Sequence, residues 1–216
     1  MPLPATMPAM ELTYIGLSCL RLRGRDADVV VDPLPPGVGR GPRLSPDIVV
    51  RTDGRTAPER LRARAGQPQE VSGPGEYELR GVSVYGVAAG EVTIMRVEVD
   101  DVRVAALGRL HRQLSEDEVD ALGHVDVLAV PVGGGDALAA TEATRLVNTI
   151  EPAIVVPVRY RVPGIAGDYD GVERFAKEMG LAEGWVPQAK LNLTGSLGAA
   201  EDTRVVVLEP RAAVPA

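Results

Sequence analysis

Alternating and continuous apolar runs dominate the first half of the chain. Alternation over 11–23 predicts two hairpin-linked strands, and the fully apolar run before Asp32 predicts a third, buried strand. The Pro- and Gly-rich segment 33–45 predicts a loop. A β-branched run then predicts a strand at 48–50, which ends at the turn signal Asp53-Gly54.

The next segments continue this pattern. Thr56 and Glu59 have the spacing of a capping box, which predicts a short helix over 57–65 that ends at Gly66. Strands are predicted around the Gly-Pro-Gly turn at 73–75, and a hairpin is predicted about Asp100-Asp101. The first half of the chain is therefore predicted to be rich in strands.

The second half alternates helical and strand patterns. A capping box at Ser115 and Glu118 predicts one helix, and Asp170 with Glu173 predicts another that Gly180 terminates. The remaining predicted elements are a strand at 125–132, a glycine turn at 133–135, a helix at 139–150 and strands at 153–158, 190–194 and 204–208. We expect an α/β domain in which two sheets pack face to face with helices outside. It should span 10–210 as a single domain, with tails at 1–9 and 211–216.

Composition and charge narrow the possible functions. The chain has 216 residues and a net charge of −7, with acidic and basic residues interspersed, which is unlike the basic stripe of a nucleic-acid-binding protein. Cys19 is the only cysteine, which excludes an internal disulfide and a cysteine-rich zinc site. The apolar runs are shorter than the roughly 20 residues of a membrane-spanning helix. We expect a cytoplasmic protein that binds neither membrane nor nucleic acid.

The junction at 46–61 has the geometry of a catalytic site without its residues. A strand, a tight turn and a capped helix follow one another, and ligands of α/β proteins collect at such strand ends and helix N-termini. The junction nevertheless contains no His, Cys, Ser nucleophile or Gly-rich phosphate loop.

Several segments together resemble the metallo-β-lactamase fold superfamily, in particular its small bacterial branch of Zn-dependent hydrolase-like proteins. The matching segments are LTYIGLSC at 12–19, VVVDP at 29–33, SGPGEYELRGVSVYG at 72–86, VDVLAVPVGGG at 125–135, EATRLVNTIEPAIVVPVRY at 142–160 and VPGIAGDYDGVERFAKEMG at 162–180. The resemblance implies a four-layer αββα sandwich. It also implies a site in which His and Asp side chains hold Zn²⁺ or a similar ion that activates water.

The residues at the positions of the family's metal ligands do not suit a metal. The H-x-H-x-D-H turn of the family falls on Asp53, Arg55, Ala57 and Pro58, of which only Asp53 could bind a metal. The loop that carries the next His is shortened through 88–90. The strand-end Asp and the last His of the family correspond to Arg109 and Arg159, and the His of its GHSC motif corresponds to Leu17.

A zinc site needs at least three protein ligands. Asp32, Asp53 and the two histidines, His111 and His124, do not supply them in a plausible arrangement. His111 follows Arg109 closely and could edge the former cleft. We therefore predict no catalytic residues and no metal cofactor, with Zn as the alternative.

Arginines stand where metal ligands would converge. In one interpretation Arg55, Arg109 and Arg159 pair with Asp32 and Asp53 and hold the strand ends together. In the other, the arginines form a cleft that binds a small anion such as a phosphate, nucleotide or carboxylate. The residues predicted to line this former metal cleft are Asp32, Asp53, Arg55, Arg109, His111, Arg159 and Tyr160.

The functional hypothesis is that hydrolase activity has been lost. We expect a binding, scaffolding or regulatory protein that forms a homo-oligomer; in the second interpretation of its arginines, it also has an Arg-lined anion-binding cleft. The alternative hypothesis is a metal-dependent hydrolase with a noncanonical site.

Overall fold

The computed structural model describes residues 10–39, 41–54, 61, 66–181, 185–198 and 202–212. Within them the chain forms two mixed β-sheets, with helices in its second half. The α/β class and the pair of sheets predicted from the sequence are confirmed.

The first sheet contains six of the described strands. In spatial order it runs β12-β1-β2-β3-β4-β5, in which β1–β2 and β2–β3 are antiparallel and β3–β4 and β4–β5 are parallel. Its strands are β1 (Met10–Gly16), β2 (Cys19–Arg23), β3 (Asp28–Val31), β4 (Ile48–Arg51), β5 (Gln69–Ser72) and β12 (Leu191–Leu193). This sheet supplies one side of the candidate site through the ends of β3 and β4.

The second sheet contains seven strands within the described ranges. Its order is β13-β11-β10-β9-β8-β7-β6, with an antiparallel meander from β6 to β9 and parallel pairing from β9 to β13. Its strands are β6 (Gly75–Leu79), β7 (Val82–Ala89), β8 (Val92–Val99), β9 (Val102–Ala106), β10 (Val127–Pro131), β11 (Ile154–Val158) and β13 (Arg204–Val205). Every residue of β10 and β11 is buried, as expected for parallel strands covered on both faces.

The core lies between the two sheets. Alternate residues of the first sheet, including Leu12, Tyr14 and Leu20, share one apolar cluster with residues of the second sheet such as Ile94 and Val104. The intervening residues of the first sheet contribute to a smaller cluster on its other face. That cluster contains Ile15, Leu17, Cys19, Val30, Leu34 and Ala212.

The helices of the described chain pack with the second sheet. They are α1 (Glu116–Leu122), which contacts β7, α2 (Ala140–Ile150), which contacts β10, and α3 (Val172–Glu178), which contacts α2. The capping box predicted at Ser115 is confirmed, since its side chain accepts from Glu118 N and the Glu118 carboxylate accepts from Ser115 N. The helix predicted for 57–65 lies outside the described residues. None of the described helices is long and apolar enough to cross a membrane.

The predicted N-cap of α3 is wrong. Gly171, not Asp170, occupies the N-cap position, and no side chain caps the helix. The Asp170 carboxylate instead accepts a hydrogen bond from Arg174 at 3.1 Å, and the backbone of Asp170 bonds to Gly133 and Arg161. These contacts hold Asp170 one residue before the cap. Gly180 follows the helix with φ +72°, as predicted for its end.

The chain after β13 returns to the first sheet. Arg211 N donates to Tyr14 O at 3.0 Å, and Ala212 N donates to Ile15 O at 2.8 Å. These two residues, which the sequence assigns to the C-terminal tail, therefore bond to the backbone of β1.

Candidate functional site

A small cleft lies where four strands end. Asp32 follows β3, Thr52 and Asp53 follow β4, Arg109 follows β9 and Arg159 follows β11. The ends of parallel strands are where α/β proteins place their ligand-binding groups. We call it the strand-end cleft; its volume is about 90 Å³. It is lined by Leu17, Ser18, Asp32, Pro33, Pro35, Thr52, Asp53, Arg109 and Arg159.

Asp32 is held by Thr52. Its backbone is left-handed at φ +44°, and its two carboxylate oxygens accept from Thr52 N at 2.8 Å and from Thr52 Oγ1 at 2.5 Å. Burial raises the pKa of Asp32 to about 6, against the effect of both hydrogen bonds from Thr52. Among the cleft residues whose pKa is clearly shifted, Asp32 therefore has the pKa closest to neutral.

Arg109 is tied to Asp53. Its Nε donates to Asp53 Oδ2, and its Nη2 lies 3.8 Å from Glu91 Oε2. Nη2 is buried and has no hydrogen-bond partner among the residues that the structure describes. Asp53 is itself buried, so the pair joins the end of β4 to the end of β9 beneath the surface.

Arg159 is tied to an acidic residue that we did not predict. Its Nε and Nη2 donate to the two carboxylate oxygens of Asp136 at 3.0 and 2.5 Å, which is a bidentate pair. Burial would raise the pKa of Asp136, but the hydrogen bonds and charge of Arg159 outweigh it and hold that pKa below its usual value. The guanidinium also lies over the ring of Tyr169, 5.5 Å from its centroid.

Ser18 connects the two arginine regions. Its Oγ donates to Gly108 O at 2.8 Å and accepts from Arg159 Nη1 at 3.4 Å. Gly108 has φ +60°, and a Cβ there would collide with Thr52 Oγ1. Glycine is thus required at this position both for the backbone conformation and for the space that Thr52 occupies.

The structure separates the predicted site residues into three groups. Asp32, Asp53, Arg109 and Arg159 line the strand-end cleft. Tyr160 and His111 do not. The Tyr160 ring is buried against Tyr14 and its hydroxyl donates to Leu208 O at 3.2 Å, because Tyr160 follows Arg159 and faces the core. His111 is exposed. Arg55 lies outside the described residues.

Sequence reasoning missed Thr52, Asp136 and Tyr169. Asp136 follows the glycine turn after β10, at the same edge of the sheet as Arg159, so this turn was the available signal. Tyr169 packs near Gly133, Gly135 and Gly167. A Cβ added at Gly167 would meet the Tyr169 ring, whereas at Gly133 and Gly135 it would first meet the backbone carbonyls of Arg159 and Asp168. The approach of Tyr169 to Arg159 depends on how two loops meet.

The described residues of the cleft do not fit the zinc site that the fold implies. Two guanidinium groups stand at ligand positions, and the carboxylates beside them are bonded to Thr52 and Arg109. No group of three or more His, Cys, Asp or Glu side chains that could hold a metal ion occurs within the described ranges. A divalent cation here would lie beside fixed positive charges and lack the three protein ligands that zinc requires.

Comparisons with known proteins agree with the fold. A UPF0173 protein of Pyrococcus abyssi is 27% identical over 210 residues, covering 82% of this chain and 94% of that protein. A candidate Zn-dependent hydrolase of the metallo-β-lactamase superfamily from Thermotoga maritima has a TM-score of 0.77 and 25% identity, covering 93% of this chain and 99% of the other.

A more distant structure shares the fold alone. Igni18, described as a metallo hydrolase from Ignicoccus hospitalis, has a TM-score of 0.62 at 18% identity, covering 94% of this chain and 96% of that one.

A family model described as a beta-lactamase superfamily domain matches residues 11–159. The strand-end cleft lies where strands of the two mixed sheets end, and the family model covers most of the chain. We conclude that the protein belongs to the metallo-β-lactamase superfamily.

Proposed function

We propose that this protein acts without a metal centre, as a non-hydrolytic binding or regulatory member of its superfamily. One observation carries the proposal. Arg109 and Arg159, at the positions where the resemblance places metal ligands, are each paired with a carboxylate, Asp53 and Asp136.

The charge of these pairs supports the proposal. A guanidinium remains protonated at any physiological pH, so it cannot become a metal ligand. Like charges 4 Å apart near a protein surface repel by roughly 4 kcal/mol for each pair of unit charges. A divalent cation carries two unit charges, so beside Arg109 and Arg159 it would meet this repulsion four times. The carboxylates that could attract it are already bonded to Thr52, Arg109 and Arg159.

The two ion pairs would hold the strand ends together, as a bound metal ion would. Arg109–Asp53 joins a strand end of the first sheet to one of the second, and Arg159–Asp136 fixes the turn after β10 to the end of β11. Such pairs fix geometry more than they add stability. The same edge of the sandwich would thus stay closed without an ion.

A second role for the cleft is the binding of a small inorganic anion. Arg109 favours this role. Its Nε donates a hydrogen bond to Asp53, while its Nη2 has no hydrogen-bond partner among the described residues. Phosphate or sulfate titrated against thermal unfolding tests this role. We expect a rise in Tm that Arg109→Gln abolishes; an unchanged Tm would exclude it.

Metal analysis tests the main proposal. The protein is purified without a histidine tag from cells grown with added zinc, manganese or iron, and its metal content is compared with that of the Thermotoga maritima relative treated identically. We expect substoichiometric metal and no hydrolysis of β-lactam or phosphodiester test substrates with any of these ions.

The contrary result is equally defined. One or more equivalents of metal per chain, with a hydrolytic rate that Asp32→Asn or Asp53→Asn removes, would establish the alternative of a metal-dependent hydrolase with a noncanonical site. Arg174→Gln, an exposed arginine outside the cleft, is the control substitution.

A further inference from the structure

The second sheet ends in a strand with an unpaired edge. β6 pairs with β7 on one side, and no strand of the described chain pairs with its other side. Leu79 and Val82 flank the two-residue turn between β6 and β7, in which Arg80 and Gly81 have φ of +52° and +72°. Residues that flank such a turn exchange backbone hydrogen bonds, and alternate residues along the two strands do the same. The turn therefore fixes which backbone groups of β6 face β7 and which face outward.

The outward-facing backbone groups belong to two glutamates. Alternation back from Leu79 directs the backbone groups of Tyr77 and Gly75 towards β7. The N–H and C=O groups of Glu76 and Glu78 consequently point away from the sheet, and no backbone hydrogen bond between described residues uses them. We call these four groups the β6 edge. An edge of this kind is a template on which another extended chain can pair.

The strand that carries this edge is held in place. Tyr77 and Leu79 are half-buried and pack against the main core. The Tyr77 hydroxyl donates to Ser72 O, at the end of β5, at 3.1 Å. β6 is also in register with β7 over its full length. The strand therefore needs no ordering when another chain pairs with it, which lowers the entropy that binding would cost.

The outer face of the sheet beside the β6 edge carries three carboxylates. Glu76, Glu78 and Glu98 line a shallow depression of about 480 Å³ over β6, β7 and β8. Ser83 lies between Glu78 and Glu98 in the register of these strands and donates to Glu78 at 2.6 Å. Tyr85, in register with Glu76, adds an aromatic ring to the lining. The face next to the unpaired edge is therefore acidic.

The cations near this face are already engaged. Arg96 donates to the backbone of α1 and lies over the aromatic ring of the depression, 5.2 Å from its centroid. Arg103 Nε lies 3.3 Å from Glu98 Oε2, and Arg80 Nη1 lies 3.9 Å from Asp47 Oδ1. The two glutamates of β6 take part in no ion pair between described residues. A positively charged partner would thus find two unpaired carboxylates at the edge.

The same charges disfavour a second copy of this chain as the occupant. Two antiparallel β6 strands related by a two-fold axis could align about residue 76, 77 or 78. These registers place Glu76 opposite Glu76, Glu76 opposite Glu78, and Glu78 opposite Glu78, respectively. Like charges directly opposite each other destabilise a strand pair. The edge therefore suits a chain of different sequence.

We propose that the β6 edge binds an extended segment of a protein partner that carries Arg or Lys at two positions separated by one apolar residue. The segment adds an antiparallel strand to the second sheet. Its two basic residues lie opposite Glu76 and Glu78 on the acidic face, and the apolar residue between them lies on the same side as Tyr77, because side chains alternate along a strand.

The inference rests on the proposed binding role, for which it names a class of partner, but it uses no residue of the strand-end cleft. A stoichiometric metal would refute the absence of a metal centre without affecting peptide binding at the edge. Failure of the peptide experiment would leave the metal result as it stands. The two outcomes are therefore distinguishable.

Titration of the isotope-labelled protein with the acetylated and amidated peptide Thr-Arg-Val-Arg-Val-Thr, followed by NMR, tests the proposal. We expect saturable changes in the amide signals of Glu76 and Glu78, and slower exchange of these two amide hydrogens with solvent. The peptide Thr-Glu-Val-Glu-Val-Thr is the charge control and should not bind. Absence of binding by the Arg peptide, equal binding of both peptides, or signal changes centred on Asp32 and Arg109 would overturn the proposal.

Methylated peptides separate strand addition from charge attraction alone. In an antiparallel pair the residues opposite Glu76 and Glu78 exchange both backbone hydrogen bonds with them, so their N–H groups face β6. Methylation of the backbone nitrogens of both Arg residues should therefore abolish binding. Methylation of those of both Val residues, which face away, should leave the affinity nearly unchanged. Equal affinities of the two methylated peptides would refute strand addition.

Protein variants locate the site. Glu76→Gln combined with Glu78→Gln should weaken binding of the Arg peptide about fivefold, since two exposed ion pairs together contribute on the order of 1 kcal/mol. Glu209→Gln removes an exposed glutamate after β13, the strand at the opposite edge of the same sheet, and should leave the affinity unchanged. An unchanged affinity in the double variant would place the peptide elsewhere and overturn the assignment.

The protein without peptide provides the test for a second copy. Its mass is measured by sedimentation velocity over a range of concentrations, and amide exchange is followed in the same samples. We expect the amide hydrogens of Glu76 and Glu78 to exchange rapidly whatever the mass. A dimer in which both amides are protected would assign the β6 edge to a second copy and refute the proposal.

Discussion

Asp136 accepts two hydrogen bonds from Arg159, at 3.0 Å from Nε and 2.5 Å from Nη2. The two residues belong to different connections of the second sheet, one after β10 and the other after β11. Their pairing ties these two connections together at the edge of the second sheet that carries the strand-end cleft.

Removing Arg159 should destabilise the fold. Its side chain is 13% exposed and that of Asp136 is 45% exposed, so solvent screens the pair in part. We expect Arg159→Met to lower the free energy of unfolding by about 1–3 kcal/mol, measured by urea denaturation. Asp136→Asn combined with it in a double-mutant cycle should give a coupling of about 1 kcal/mol. Arg174→Met, in the exposed pair with Asp170, should cost under about 0.5 kcal/mol; equal losses would contradict the prediction.

Gly108 should tolerate no side chain. Gly108→Ala combines a left-handed backbone with a collision between its Cβ and Thr52 Oγ1, the hydroxyl that donates to Asp32. Gly81 also has a positive φ, of +72°, but a Cβ there meets nothing within 4 Å. We expect Gly81→Ala to cost about 1 kcal/mol and Gly108→Ala at least about 2 kcal/mol more, by thermal denaturation. Similar costs for both would show that Thr52 yields its place easily.

Asp32 should make stability depend on pH. Burial raises its folded-state pKa from 3.8 to about 6, so the folded protein binds this proton more tightly than the unfolded chain. The contribution of Asp32 to stability is therefore greatest below about pH 4 and falls as pH rises through about 6. Asp32→Asn removes this pH dependence, but at every pH the amide accepts weaker hydrogen bonds from Thr52 than the carboxylate does.

The measurement is the difference in unfolding free energy between the wild type and Asp32→Asn at about pH 4.5 and about pH 7.5. It should shift in favour of the variant by about 2 kcal/mol between these two pH values, since one pKa unit corresponds to about 1.4 kcal/mol and part of the change occurs below pH 4.5. Asp26→Asn, at an exposed aspartate, is the control and should show no shift of this size. If this difference is the same at both pH values, the pKa of Asp32 is not raised in the folded protein.

Glu118 should have the opposite pH dependence. A hydrogen bond from Arg112 and those from Ser115 lower its pKa to about 2, although burial acts in the other direction. Its contribution is complete above about pH 5 and is lost as pH falls towards about 2. The side chain of Glu118 is 17% exposed and that of its partner Arg112 is 40% exposed, so solvent screens the pair in part. We expect Glu118→Gln to cost about 1 kcal/mol at neutral pH. The exposed Glu116, in the same helical turn, gives the control Glu116→Gln, for which the acid limb of the stability curve should be unchanged.

Local patterns predicted those elements whose structure is decided locally. The apolar runs before the glycine turn at 133–135 and before Arg159 became the buried parallel strands β10 and β11. The capping box at Ser115 formed as predicted, because its donors and acceptors lie within three residues of one another. The same spacing at Asp170 failed because Arg174 and the Gly133 backbone compete for that residue.

The partners within the cleft needed the tertiary structure. One of the two interpretations of the sequence paired the arginines with Asp32 and Asp53, and the Arg109–Asp53 pair is of this kind. Asp32 instead bonds to Thr52, and Arg159 bonds to Asp136. Asp136 was missed because it occupies no such position, and it reaches Arg159 only when the loops after β10 and β11 meet. Tyr160 does not line the cleft because its ring packs against Tyr14 in the core. The Arg159-Tyr160 pair is too short for a sequence pattern to show which way the ring faces.

The contacts of Ser18 bear on the order of folding. This residue bonds to Gly108, 90 residues away, and to Arg159, 141 residues away. Contacts that close such long segments form only after the local hairpins and helices have lowered the entropy of closure. The strand-end cleft should therefore be assembled late, and amide hydrogens around Ser18 and Gly108 should become protected only when both sheets have docked.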